Sequence, residues 1–410
     1  MSLTIDFHFD CRQAVALAAA GKHVALHFEY DEYQARLARA RAEIIGRDLD
    51  GLLLFAPESH YYLAGYDTFG FALFQCMVLP ATGAPHLLTR APDLRQAQQT
   101  SILGDAQIHI WTDHEGVNPA AALRTVLDSI GLLDRRLGIE TQTVGLTAYN
   151  GKQLESALSG RCVLIEASDL VATLRRAKSP TEIAYHRRAA QLSDDALDAA
   201  FELTEAGAFE GDILAAMQGA VFRGGGDYAG NEFVIGSGEA ALLCRYQSGR
   251  RHLDARDQLT LEWSGAYRRY HAAMMRTLVI GAANDSQKRM HAVANEALEA
   301  CEVAIRPGEP MGAVFTAHAR VFDQYGLTHA RLNACGYGMG ATYHPIWVDL
   351  PMFYEGNPLL MDVGHVYFLH MILMDSNAGL AMCLGHCVLV TPNGAERLSR
   401  HSPQHFEIPA

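Results

Sequence analysis

Between residues 31 and 169 the chain alternates helical and extended patterns. Apolar positions recur at helical spacing from Glu32 to Gly46 and from Ala120 to Ile130, and each run predicts an amphipathic helix. Short apolar runs at Gly51–Phe55, Phe74–Leu79 and Arg136–Glu140 predict buried strands. Strands and helices alternating at this spacing imply a mostly parallel or mixed sheet with helices packed on it. Near residue 175 the pattern changes. Ser179, Pro180 and Glu182 read as a capping box with proline at the first helical position, so a long helix is predicted from there to about Glu205. Two helix-rich stretches, 180–222 and 286–325, are each followed by strand patterns, 231–281 and 364–391. A helix–helix–sheet unit is thus written twice. The expected fold is α+β in two domains, residues 1–175 and 176–410.

Composition narrows the function without choosing it. With 410 residues, 49% apolar and 19% charged, the chain has the balance of a folded protein of more than one core. A formal charge of -13 would repel nucleic acid and anionic membranes, so neither is expected as a partner. The eight cysteines are scattered, and Cys383 and Cys387 have no second pair at zinc-finger spacing. They read mostly as small buried apolar residues in a reducing compartment. No signal-peptide start and no apolar run of membrane-spanning length is found, so a cytoplasmic location is expected.

The segments that carry chemistry lie in the second half. The run Leu259-Thr-Leu-Glu-Trp-Ser-Gly-Ala-Tyr-Arg-Arg-Tyr-His-Ala-Ala-Met-Met-Arg-Thr-Leu-Val-Ile-Gly281 resembles the strand-turn-strand of creatinase, aminopeptidase P and prolidase, the pita-bread family. Gly336-Tyr-Gly-Met-Gly-Ala-Thr-Tyr-His344, Gly364-His-Val-Tyr-Phe-Leu-His370 and Val388-Leu-Val-Thr-Pro-Asn-Gly394 are similar to three further family segments, and Lys178-Ser-Pro-Thr-Glu182 to the opening of its catalytic domain. The resemblance implies an N-terminal creatinase-like α/β domain, a C-terminal pita-bread catalytic domain and a homodimer. Where metal-dependent members place their ligands, it puts Trp263, Ala273, Tyr337, His370 and Gly385. Of these only His370 could hold a metal, whereas a close pair of divalent cations needs bridging carboxylates. No metal and no cofactor is therefore expected. A register slipped by one or two residues is the alternative, with Glu262, Asp349, Asp362 and His370 forming a different metal site.

The same resemblance, closest to the metal-free branch of creatinase and ectoine hydrolase, implies roles for individual residues. Glu262, a carboxylate inside an apolar strand, would be the nucleophile; the plain alternative is an outward glutamate paired with Arg268 or Arg269. Asp227, after Gly224-Gly-Gly, would hold a cationic nitrogen, unless it merely caps a glycine turn. Tyr337 would donate to developing charge or simply pack, His344 would move protons or be structural, and His370 would help to stabilise charge. Arg245 stands where creatinase has a histidine and suits a bidentate grip on a carboxylate. Trp347, Asp349, Tyr228 and His271 are expected to line the substrate pocket. Tyr66 and Phe69 lie in a stretch similar to the family's Tyr-Leu-x-Gly-Tyr-Asp loop, which reaches the partner's active site in dimeric relatives. The expected substrate is a small carboxylated amidine, guanidine or cyclic amide. Alternatives are an Xaa-Pro peptidase and a pita-bread binding protein without catalysis.

Overall fold

The structure is a computed structural model, and it describes residues 25–245 and 249–408. Cys11, one of the eight cysteines, and Tyr246, within the strand pattern read over 231–281, lie outside them. The chain divides into two compact units between Arg175 and Arg176.

The first unit is built on a six-stranded mixed sheet of β1 (Gly51–Leu54), β2 (Cys76–Pro80), β3 (His86–Arg90), β4 (Ile108–Trp111), β5 (Arg136–Ile139) and β6 (Val163–Glu166), in the spatial order β4-β3-β2-β1-β5-β6. β1 is buried on both faces, with Leu52 and Leu54 in one core cluster and Leu53 and Phe55 in another. That is why its sequence is a continuous apolar run rather than an alternating one. Helices α1 (Tyr30–Gly46), α2 (Pro57–Ala64) and α6 (Ser168–Leu174) supply residues to the first cluster. α4 (Pro119–Ser129) and α5 (Ala148–Leu158) supply the second, while α3 (Leu94–Thr100) adds Ala97 to the first.

The second unit opens with α7 (Pro180–Leu203), whose first turn is closed by the expected capping box: Ser179 Oγ accepts from Glu182 N, and Glu182 Oε2 accepts from Ser179 N at 2.8 Å. α8 (Glu210–Arg223) follows, then β7 (Val234–Ser237), β8 (Asp257–Tyr267) and β9 (Tyr270–Ile280). The second round is α9 (Asp285–Ala304), α10 (Met311–Gln324), β10 (Gly336–Gly338), β11 (Asp349–Met352), β12 (Val366–Asp375) and β13 (Leu380–Thr391), closed by β14 (Gly394–Arg397) and β15 (Glu407–Ile408). One sheet holds all nine strands, ordered β11-β10-β12-β13-β9-β8-β7, with β14 on β13 and β15 on β9. The repeated unit read from the sequence is therefore two helix pairs backing the two halves of a single sheet. The short β10 and β11 were not foreseen, since three and four residues carry too little periodicity to register.

β8 and β9 meet at Arg268 and Arg269, both with positive φ (49° and 67°). Side-chain-bearing residues rarely adopt this conformation. Here Asp227 Oδ2 accepts from Arg269 N at 3.0 Å, and the two guanidinium groups lie over the rings of Tyr185 and Tyr343 at 5.0 and 5.2 Å. On the helix side of the sheet Gly265 packs so tightly on α7 that an added Cβ would overlap Ala189 O. The close approach lets Ser193 Oγ accept from Gly265 N at 2.6 Å.

Six buried histidines in this unit are held neutral by loss of hydration, His271, His365, His370 and His386 at about 4 and His186 and His318 at about 3. An unfolded imidazole takes up its proton near pH 6.5. Between pH 6.5 and 4 the unfolded chain thus binds more protons than the folded one, and stability falls as pH falls. Urea-denaturation midpoints measured from pH 7.5 to 4.5 are expected to drop steeply below 6.5, each histidine contributing up to about 1.4 kcal/mol per pH unit. A flat profile would contradict the neutral assignment.

Candidate functional site

Residues directly opposite one another in an antiparallel ladder share a face of the sheet. Glu262 pairs with Met275, Met275 with Gly385, and Gly385 with His370, so one row crosses four strands. Beside it, Ala273 stands opposite Ser264, and Tyr337 pairs with Phe368, which pairs with Cys387. Two side-chain bonds tie this face together: Cys387 Sγ to Ala273 O at 3.4 Å, and Cys383 N to Thr277 Oγ1 at 2.9 Å. The rings of Tyr337, Phe368 and His370 meet with centroids 5.3 to 5.7 Å apart.

Trp263 is not on this face. Its indole is fully buried on the helix side and donates to Ser193 O at 2.9 Å. The residue of β8 in the row of Gly385 and His370, on the face of Ala273, is Glu262. The expectation that Trp263 fills the first ligand position is thus corrected by one residue, because a strand turns each successive side chain to the opposite face. Counting back from Gly265 misses this.

The donor set does not suit two metals. The corrected positions are Glu262, Ala273, Tyr337, His370 and Gly385, which offer one carboxylate and one imidazole. A Cβ at Gly385 would come within 2.8 Å of the Phe368 ring and 2.7 Å of Leu369 O, so the space a carboxylate needs there is filled. Among the described residues no group of three or more His, Cys, Asp or Glu is placed to hold a metal. This also disposes of the alternative set: Asp362 is exposed and its Oδ1 accepts from Val363 N. Asp349 lies half-buried against Gly340.

Glu262 is the chemically distinctive group. It is half-buried, and loss of hydration pushes its carboxyl up to about 7, opposed by the nearby Arg245 guanidinium. No hydrogen bond from the described residues reaches the carboxyl, unlike Glu140 of the first unit, which accepts from Phe55 N, Ala56 N and Ser59 Oγ. An unbonded carboxyl with part of its surface free is poised toward a ligand. The charge of Glu262 also disfavours ionisation of the Tyr337 phenol and of the Cys244 and Cys383 thiols, which places all three in its neighbourhood. Trp347 is buried and its Nε1 donates to Tyr337 Oη at 2.8 Å. His370, neutral above about pH 4, cannot offer a positive charge at neutral pH.

The other expected residues fall elsewhere. Asp227 caps the β8–β9 turn, which begins at Arg268, six residues beyond Glu262, so it is the turn-capping reading that the geometry favours. Tyr228 is 78% exposed with its ring against Phe222. His271 is buried: Gly230 N donates to its Nε2 at 2.8 Å, leaving Nδ1–H to donate to Thr342 Oγ1 at 3.1 Å. Both ring nitrogens are thereby used within the protein. His344 is exposed in the β10–β11 loop, joined to Pro345 by a cis peptide bond. In the first unit Tyr66 is buried, its hydroxyl accepting from Gln75 Nε2 at 3.1 Å and lying 3.4 Å from Thr89 Oγ1. It is a core residue rather than a ligand contact. Phe69 is 84% exposed and free to make one. Cys244, Cys383, Cys387 and Phe368 belong to the site but are not site residues in the sequence reading. Strand alternation counted from Gly385 and His370 points to the last three.

Comparison with known proteins agrees with this architecture. The Metallopeptidase family M24 model matches residues 184–392, and the Creatinase/Prolidase N-terminal domain model matches residues 36–177. The chain belongs to this family of pita-bread hydrolases. Ectoine hydrolase from Halomonas elongata is 27% identical over 403 residues, covering 93% of this chain and 99% of that one. Xaa-Pro dipeptidase from Pyrococcus furiosus is 22% identical over 232 residues, covering 57% of this chain and 65% of its own. Among solved structures, dipeptidase PepE from Mycobacterium ulcerans superposes with a TM-score of 0.81 at 22% identity, covering 93% of this chain and all of its own. The prolidase from Thermococcus sibiricus gives 0.82 at 18%, covering 92% and 99%.

A carboxyl raised from 4.5 to about 7 favours folding when protonated, and that contribution is lost as pH rises through 7. Glutamine mimics the protonated form. Glu262→Gln is therefore expected to be more stable than the parent above pH 7, by about 1–3 kcal/mol, with the difference vanishing below about pH 4.5. Urea midpoints at pH 5 and 8 test this; equal gaps at both would mean that the carboxyl is not desolvated.

Proposed function

We propose that this chain hydrolyses a carbon–nitrogen bond in a small carboxylated amidine, guanidine or cyclic amide, and does so without a two-metal centre. The observation that supports the reading best is Glu262: one desolvated, unbonded carboxyl with Arg245 close by, on a sheet face whose other ligand positions are filled by apolar and aromatic groups. With a pKa of about 7, a large share of Glu262 is nucleophilic carboxylate at neutral pH. Its oxygen bonds to the electron-poor carbon, the carbon–nitrogen bond breaks, and the nitrogen leaves with a proton supplied through water. A second water then adds to the carbon of the covalent intermediate, acyl-glutamate from a cyclic amide and imidoyl-glutamate from an amidine or guanidine, so that its oxygen stays on that carbon and the carboxylate is restored. Arg245 grips the carboxylate of the substrate. His344, in its exposed loop, is assigned no step.

A homodimer, in which the exposed Phe69 of one copy meets a ligand bound to the other, belongs to the same reading. So does metal independence, since an amidinium carbon is already polarised whereas a neutral peptide bond normally relies on a Lewis acid. The competing reading is an Xaa-Pro peptidase, favoured by the names of the Pyrococcus relative and of several structural neighbours. It requires divalent-metal-stimulated cleavage of Xaa-Pro dipeptides.

Metal analysis of the purified protein, beside a screen of ectoine, creatine, guanidino acids and Xaa-Pro dipeptides with and without chelator, separates the two. Chelator-resistant turnover of an amidine or guanidino acid is expected, with Glu262→Ala slower by on the order of a thousandfold or more. Turnover confined to Xaa-Pro dipeptides and abolished by chelator would overturn the reading.

A further inference from the structure

A phenol has one proton to give and two lone pairs to receive with, whereas an indole N–H can only give. In the 2.8 Å bond between Trp347 Nε1 and Tyr337 Oη the tyrosine oxygen must therefore be the acceptor. Its own proton is directed elsewhere. Tyr337 is 6% exposed and Trp347 2%, and among the described residues no group accepts the phenolic proton. A buried donor without an acceptor is costly and uncommon in a folded protein. Tyr337 is also anchored from behind, where its strand pairs with β12 and its ring meets those of Phe368 and His370. Its hydroxyl cannot swing away to find water. The charged groups that bear on it are Glu262, which disfavours its ionisation, and Arg245, which favours it. Tyr337 is thus a donor, held by Trp347, with Glu262 near enough for its charge to bear on the phenol.

Resting on the reading of Glu262 as the attacking group, we propose that Trp347 and Tyr337 form a donor relay that serves the electron pair released by that attack. A protonated amidine or guanidine offers only N–H groups and gives the Tyr337 proton no acceptor. When Glu262 Oε bonds to the carbon, the carbon–nitrogen π pair returns to nitrogen, and that nitrogen becomes an acceptor. In a cyclic amide the pair returns to the carbonyl oxygen instead. With an amidinium the hydrogen bond from Tyr337 forms only with the adduct, which is the condition for accelerating the reaction rather than tightening substrate binding, whereas a lactam carbonyl already accepts it on binding and accepts it more strongly as charge develops. The bond from Trp347 polarises the phenol and makes it a better donor. Tyr337 is accordingly a catalytic residue, and Trp347 a positioning residue that acts through it.

Binding and turnover of two carboxylic acids test this. Ectoine carries a cyclic amidinium and L-pyroglutamate a lactam carbonyl. Calorimetric affinities for both are measured with the parent, Tyr337→Phe, Trp347→Phe and the double variant, together with kcat and KM for ectoine. Pyroglutamate is expected to bind about tenfold more weakly to Tyr337→Phe, and several-fold more weakly to Trp347→Phe, with the double variant no worse than Tyr337→Phe. Ectoine affinity and KM are expected to stay within about twofold while kcat falls at least about tenfold. Equal losses for the two acids, or a KM effect with unchanged kcat, would overturn the relay and leave Glu262 in its role. Failure of the parent to bind either acid, with its fold intact by circular dichroism, would overturn the substrate class and the relay together.

Discussion

Everything at the centre of the second unit depends on how two halves of a sheet are joined. β9 and β13 pair at only two positions, Arg276 with Leu384 and Met275 with Gly385. The Arg276 guanidinium reinforces the joint, its Nη1 donating to Met275 O at 2.7 Å and to Gly385 O at 2.6 Å. Burial lowers its pKa to about 10, so it stays cationic at neutral pH, and its Nε and Nη2 find no partner among the described residues. Placing an incompletely satisfied charge in a core is expensive. It is sustained here because the same group bridges the two carbonyls that align the Glu262 row. The short joint keeps Met275 and Gly385 in register, and with them Glu262 on one side and His370 on the other.

The electrostatics of the row follow from what is missing around it. Most buried carboxylates in this chain are met by donors: Glu210 accepts from Ser237 N and Arg251 N, and Glu182 from Tyr270 Oη and Ser179 N. Glu262 has no such company, only a guanidinium at longer range. Desolvation without compensation brings its carboxyl into the range where proton loss is easy near neutral pH, as nucleophilic and acid–base chemistry requires. The histidine at the other end of the row does not compete for that role, because desolvation empties His370 of its proton.

Signals local to a few residues carry from sequence to structure, and those that depend on facing and depth do not. The capping box of Ser179 and Glu182 and the helix predicted to about Glu205 correspond to α7, Pro180–Leu203, because capping chemistry is encoded within four residues. The strand predicted at Gly51–Phe55 is β1, fixed by its unbroken apolar run. Glu262 stood out since a charged residue inside an apolar strand is conspicuous. Trp263 was misplaced because glycine landmarks set the register only to within a residue, while the pleat is unforgiving of one. Asp227 and His271 show another limit: a polar residue in a promising motif looks the same whether it greets a ligand or satisfies a turn. Tyr66 reads in the sequence as a substrate contact, yet its hydroxyl completes a bond network with Gln75 and Thr89 that no one-dimensional pattern reveals.

The tight fit at Gly385 has an evolutionary corollary. Installing a carboxylate at that position would push into the Phe368 ring, which in turn rests on Tyr337 and His370. A single codon change therefore cannot move this lineage toward cation-assisted chemistry, since the first step disrupts the aromatic trio before any new ligand is of use. The three rings behave as a ratchet, and drift is confined to variants that refine the existing pocket.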